Sequence, residues 1–139
     1  MTTHPNIDIL PVAPLKIIAM NNCRQLGEQV SEILHNIRTS SKRTVHFSEE
    51  VRGYIQDDYL VSYHMETHHT GERHAVIDDT IRGCDLFIMT DVVNRYSAAE
   101  GTPKHGYMTP VEHIMHLKRI IAACHVTAHR INVIMPYLY

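Results

Sequence analysis

The last sixty residues constrain the fold of this chain most. Thr80-Ile-Arg-Gly-Cys-Asp-Leu-Phe-Ile-Met89 ends in an apolar run, Thr109 to Cys124 has helical spacing, and His129-Arg-Ile-Asn-Val-Ile-Met-Pro-Tyr-Leu-Tyr139 supplies a second apolar run. Short apolar runs of this kind suit strands buried on both faces, and a helix between two of them carries the chain back so that the strands lie parallel. The connection should be a right-handed crossover. The helix start is marked by Thr109 as cap, Pro110 at the first helical position and Glu112 as the capping-box acid. Val111, Ile114, Met115, Leu117, Ile121 and Cys124 are predicted to face the sheet.

The same unit opens the chain. Leu15-Lys-Ile-Ile-Ala-Met20 reads as a buried strand that Asn21-Asn22 breaks. From Gln25 the positions Leu26, Val30, Ile33, Leu34 and Ile37 recur at three- and four-residue spacing, predicting one face of a helix ending near Arg38. Residues 39 to 58 read as a loop with an inserted hairpin. Tyr59 to Met65 and His74 to Ile77 alternate as strands about a turn at Thr67 to Glu72, which predicts a β-hairpin. Asp85 to Thr90 is the second strong strand, and Val92 to Met108 a long loop at its carboxyl end. Residues 1–14, with three of the six prolines, form an irregular lead-in. Residues 15–139 then make one α/β domain: a mostly parallel sheet flanked by helices, with an antiparallel edge hairpin.

Composition narrows the function classes. A formal charge of -2 among 139 residues lacks the Lys and Arg excess of a nucleic-acid binder. Cys23, Cys84 and Cys124 are widely spaced and sit in or beside apolar elements, as reduced core residues of a cytoplasmic protein do. No apolar stretch approaches the roughly 18 residues of a membrane span, and the N-terminus has no basic run followed by an apolar block.

Several residues could carry chemistry. His64, His68, His69 and His74 fall within eleven residues, and a hairpin could gather some of them for zinc or nickel. Without a Cys-x-x-Cys or His-Glu-x-x-His pattern, no metal site is assigned, and His113 and His116 lie beside core positions of a helix. Arg82 could bind an anion with Thr80 and free backbone amides, or could pair with Asp78, Asp79 or Asp85. Asp91 stands at the carboxyl end of a parallel strand, where α/β folds place ligand contacts, and Asn94, Arg95 and Ser97 follow it. Equally, that loop needs no ligand. Lys118 and Arg119 are expected to face water, Lys42 and Arg43 to form a small basic patch, and Glu72 in a turn is ordinarily just solvated.

Taken in order, Lys16-Ile-Ile-Ala-Met20, Gly71-Glu72, Thr80 to Met89, the helix from Thr109 and Ile131-Asn-Val-Ile-Met-Pro-Tyr137 resemble the N-terminal half of ribose-phosphate pyrophosphokinases. The likeness covers residues 15 to 139, matches 39 to 70 poorly, and points to a divergent bacterial branch. It implies a phosphoribosyltransferase-like half-fold in a cytoplasmic transferase that moves the diphosphoryl group of ATP, with magnesium, to ribose 5-phosphate for nucleotide biosynthesis. The chemistry is mainly positioning and charge neutralisation. The resemblance assigns Glu72 to a nucleotide-binding turn in which His68 stands in place of the family's stacking Phe. It assigns Thr80 and Arg82 to a regulatory phosphate or ADP site, and it implies a homo-oligomer.

The family's catalytic histidine, basic flexible loop and Thr-Gly-Gly-Thr loop have no counterpart among these residues. No catalytic residue is therefore assigned, and the chain alone is expected to be silent. The alternative is a stand-alone, non-catalytic homologue that binds a nucleotide or regulates assembly. An Arg-Gln-rich continuation in the parent reading frame separates the first reading from the second.

Overall fold

A computed structural model describes residues 11–40, 52–94 and 108–137. Three parallel strands form its main sheet: β1 (Leu15–Ala19), β4 (Asp85–Met89) and β5 (Arg130–Ile134), in the order β1-β4-β5. Leu15 pairs with Asp85 and Asp85 with Arg130, so the three strands start level. A short 3-10 turn (Asn21–Cys23) leads from β1 into α1 (Arg24–Ser40), and α2 (Pro110–Cys124) lies between β4 and β5 in sequence.

Because side chains alternate across a strand, the sheet separates two cores. Ile18, Leu86 and Ile88 meet Leu117, Ile120 and Cys124 of α2 on one face. Ile17 and Met89 meet Cys23 and Tyr59 on the other, with Val30 and Leu34 of α1 packed against them. All three cysteines are buried free thiols, and burial pushes Cys23 and Cys124 up to about 11. Such thiols are inert core residues.

Strands β2 (Tyr63–Thr67) and β3 (Arg73–Ile77) form the antiparallel hairpin. It is a sheet of its own rather than an extension of the parallel one, and β3 packs on α2. The strand expected from Tyr59 starts four residues later. Instead, Tyr59 to Val61 run beside β1, with Ile17 donating to the Tyr59 carbonyl and Val61 donating to the Ile17 carbonyl, both at 2.8 Å. Residues 52–58 contain turns and no strand, and the rest of the hairpin expected within 39–58 lies outside the described residues. So do Lys42, Arg43 and most of the Val92–Met108 loop.

Both helices bury only part of the apolar face their spacing predicts: Val30 and Leu34 of α1 and Leu117, Ile121 and Cys124 of α2 reach the cores, and the rest of each face is shifted toward polar positions. On α1 the inward positions are Gly27 and Ser31, while Leu26, Ile33 and Ile37 are exposed. A Cβ on Gly27 would collide with the Cβ of Ala19, so glycine permits this close approach of helix to strand. Ser31 accepts from the Tyr59 amide at 2.9 Å and donates to Asp58 at 2.7 Å, and Arg38 lies 4.1 Å above the Tyr54 ring. The polar stripe of α1 thus docks the 54–59 segment, which its apolar periodicity could not announce. On α2 the Thr109–Glu112 capping box forms as expected. Val111 and Met115 are exposed, however, and His113 and His116 take their places in the buried stripe. Lys118 is exposed and Arg119 half-buried.

Candidate functional site

Thr80 and Arg82 come together at a pocket of about 500 Å³ beside β3 and the C-terminal end of α2. Ile77, Asp79, Ile81, Ala123 and Thr127 complete much of its wall. Arg82 opens a turn in which Gly83 takes a left-handed φ of 69°, and Gly83 donates to the Thr127 carbonyl at 2.9 Å. This pins the turn to the segment that follows α2.

The acids that could have neutralised Arg82 are committed elsewhere. Asp78 contacts His64 at 2.9 Å, and Asp79 accepts from the Ser62 amide at 2.8 Å. Asp85 accepts from Arg130 at 2.5 Å and contacts His129 at 3.1 Å. Burial alone would raise the Asp85 carboxyl, but these two partners outweigh it and hold the group below its ordinary value. Among the described residues Arg82 has no acidic partner, and the Thr80 hydroxyl makes no hydrogen bond. An exposed guanidinium beside an unengaged hydroxyl can receive an anion.

His68 and Glu72 share one turn but not this pocket. The His68 amide donates to the Glu72 carbonyl at 2.8 Å, Gly71 adopts φ 84°, and both side chains are exposed. The His68 ring is stacked on His74, with centroids 4.8 Å apart. The turn precedes β3, whose residues Ala75 to Ile77 line the pocket, and neither His68 nor Glu72 is among the lining residues. Among the described residues, no three His, Cys, Asp or Glu side chains are gathered to hold a metal ion.

Asp91 lies past the carboxyl end of β4, in a crevice of about 390 Å³ shared with Asn21, Asn22, Gln25, Asn94 and Pro136. Its carboxylate accepts from the Val93 amide at 3.1 Å. Beneath the crevice lies a buried network that sequence reasoning missed. The Asn22 amide nitrogen lies 3.1 Å from Thr90 Oγ1, 2.8 Å from the Asp91 carbonyl and 3.1 Å from His113 Nδ1. Asn94 Nδ2 donates to the Asn22 carbonyl at 2.9 Å, and His113 Nε2 lies 3.2 Å from the Asn94 carbonyl. Since a carbonyl only accepts, these partners assign the His113 proton to Nε2 and leave Nδ1 to accept from Asn22. Burial holds His113 below the ordinary histidine range, consistent with a neutral ring. The available signal was an Asn directly after a buried strand, which reads first as a strand breaker.

Residues 15–139 match a family model described as the N-terminal domain of ribose phosphate pyrophosphokinase. No curated protein matches the chain. No helix among the described residues is long and apolar enough to cross a membrane.

Proposed function

The chain belongs to the family of ribose phosphate pyrophosphokinase N-terminal domains, and from that premise we propose that it is the N-terminal half of a ribose-phosphate diphosphokinase of the cytoplasm. Its task in this reading is to hold nucleotide and phosphate groups, while the reacting centre is completed by a C-terminal half. The observation that carries the reading is the pocket in which Thr80 and Arg82 stand together, with no acid among the described residues bonded to the guanidinium, although Asp79 shares the wall. Its occupant is the phosphate of a nucleotide such as ADP.

The exposed turn of His68 and Glu72 is the second nucleotide contact. As neither residue lines the pocket, the turn serves a different nucleotide or another copy in a homo-oligomer. An imidazole can stack on a purine, but here it already stacks on His74, so adenine must take the outer face of His68. The crevice at Asp91 is a further place for a polar ligand.

Family membership implies ATP and magnesium for the complete enzyme. The described residues offer no cation ligand set, so no step through the metal is assigned to them. These 139 residues alone should be silent, because phosphoryl transfer depends on neutralising charge on the moving group and they contain no Thr-Gly-Gly-Thr phosphate loop.

Calorimetric titration with ADP and with inorganic phosphate tests the reading. Wild type should bind, and Arg82→Ala should weaken binding at least tenfold without lowering the melting temperature. Unchanged binding in Arg82→Ala would remove the pocket from the function. A diphosphokinase assay with ATP and ribose 5-phosphate should give background turnover for the chain alone.

A further inference from the structure

The hairpin carries a charged cluster that the pocket and the crevice do not use. His64 lies on β2 with both ring nitrogens facing carboxylates: Nδ1 is 2.9 Å from Asp78 Oδ1, and Nε2 is 3.4 Å from Glu66 Oε1. A carboxylate can only accept, and a neutral imidazole has one N–H to give. Only the imidazolium satisfies both neighbours, while the neutral ring turns a lone pair on one of them.

We propose that His64 is a proton-operated clamp that fixes the end of the hairpin and, through Asp78, the segment leading to Thr80 and Arg82. When protonated it bridges Glu66 on β2 to Asp78, the residue that follows β3. The Asp78 amide donates to the Ser62 carbonyl at 3.0 Å and the Ser62 amide donates to Asp79 at 2.8 Å, so the clamp closes over a backbone link already in place. Asp79, Thr80 and Arg82 of the next residues line the pocket.

The charges that act on His64 are those of Glu66 and Asp78. His74 of β3 reaches the other oxygen of Glu66 at 3.0 Å, and His68 from the turn stacks on His74. From α2, packed against β3, Glu112, His113 and Arg119 act with Arg73 on His116. The hydrogen bond to Glu66 is the largest influence, desolvation opposes it next, and the charge and hydrogen bond of Asp78 add to it, so that His64 is held above its ordinary value. The folded-state value being raised, the clamp is complete below the unfolded value near 6.5 and is lost as pH rises through the raised one.

Histidine ring resonances and Asp78 amide exchange, followed by NMR from pH 5.5 to 8.5, test this. His64 should titrate above an ordinary histidine and fall toward it in both Glu66→Gln and Asp78→Asn. After correction for intrinsic exchange, protection of the Asp78 amide should be severalfold greater at the acid end, and His64→Gln should abolish that difference. A His64 midpoint that neither variant moves would overturn the clamp. So would protection that is independent of pH, or a pH difference that survives in His64→Gln. A purely structural His64 would lose protection equally at every pH. The readouts need no ligand, so the clamp stands or falls apart from the nucleotide reading of the pocket.

Discussion

Beyond the carboxyl end of β4, Thr90, Asn22, Asn94 and His113 satisfy one another, whereas before its amino end Thr80 and Arg82 stand at a pocket with no such partners among the described residues. The first group is buried or half-buried, and both members of the second are exposed. Burial demands that polar groups find partners inside the protein, because an orphaned one costs about 1–3 kcal/mol. An exposed guanidinium carries no such demand and remains available. The buried groups at one end of the strand therefore hold the fold, while the exposed ones at the other end stay available, as the proposed anion site requires. Substitutions at the two ends should separate on that line.

The largest effect is expected at the carboxyl end. His113→Ala removes a buried ring whose two nitrogens contact the Asn22 amide and the Asn94 carbonyl and opens a cavity under the α2 N-terminus. A loss of about 3 kcal/mol should appear as a lower urea midpoint. If that midpoint stays at the wild-type value, the network is not what holds this end.

Acid should reveal the same division. Burial first, then the charges of Arg119 and Arg73, push His116 down to about 4. The unfolded state binds the proton near 6.5 and the folded state does not, so stability is complete above 6.5 and falls as pH drops toward about 4. The loss should be on the order of 2 kcal/mol after solvent screening. Urea titrations at pH 7 and 4.5 should show it, and His116→Met should flatten the pH dependence. The hairpin runs the other way, since His64 adds stability on acidification.

Thr109→Ala is smaller still. It removes the hydroxyl that receives the Glu112 amide, leaving the capping box half-made, and should cost about 1 kcal/mol in melting experiments.

That cap was legible in the sequence, as were β1, β4 and β5, because caps and buried runs are written in adjacent residues. The helix faces were legible only in part, through Val30 and Leu34 on α1 and Leu117, Ile121 and Cys124 on α2. Apolar spacing on α2 pointed to Val111 and Met115, but His113 is buried because Asn22 and Asn94 satisfy both of its nitrogens, and Asn22 lies 91 residues away. On α1, Ser31 is buried because the Tyr59 amide and Asp58 meet it. Partners brought from distant segments make polar residues tolerable inside, and periodicity cannot register them. That Thr80 and Arg82 line one pocket was readable because they are near neighbours in sequence. The freedom of Arg82 from Asp78, Asp79 and Asp85 was not readable, since it depends on where His64, Ser62, His129 and Arg130 lie.

The smallest effects on folding belong to the amino end. Thr80→Val keeps the shape of the side chain and removes a hydroxyl that has no partner among the described residues, so stability should change by no more than about 0.5 kcal/mol. Against ADP, the same variant loses one neutral hydrogen bond, roughly a three- to tenfold weakening. Arg82→Ala should weaken binding more, because a charge-assisted contact to phosphate is about twice as strong. The order of the two variants in calorimetry, with melting temperatures unchanged in both, is what a ligand-receiving end requires. If Thr80→Val instead lowers the melting temperature as much as Thr109→Ala does, its hydroxyl serves the fold, and the contrast between the two ends of β4 collapses.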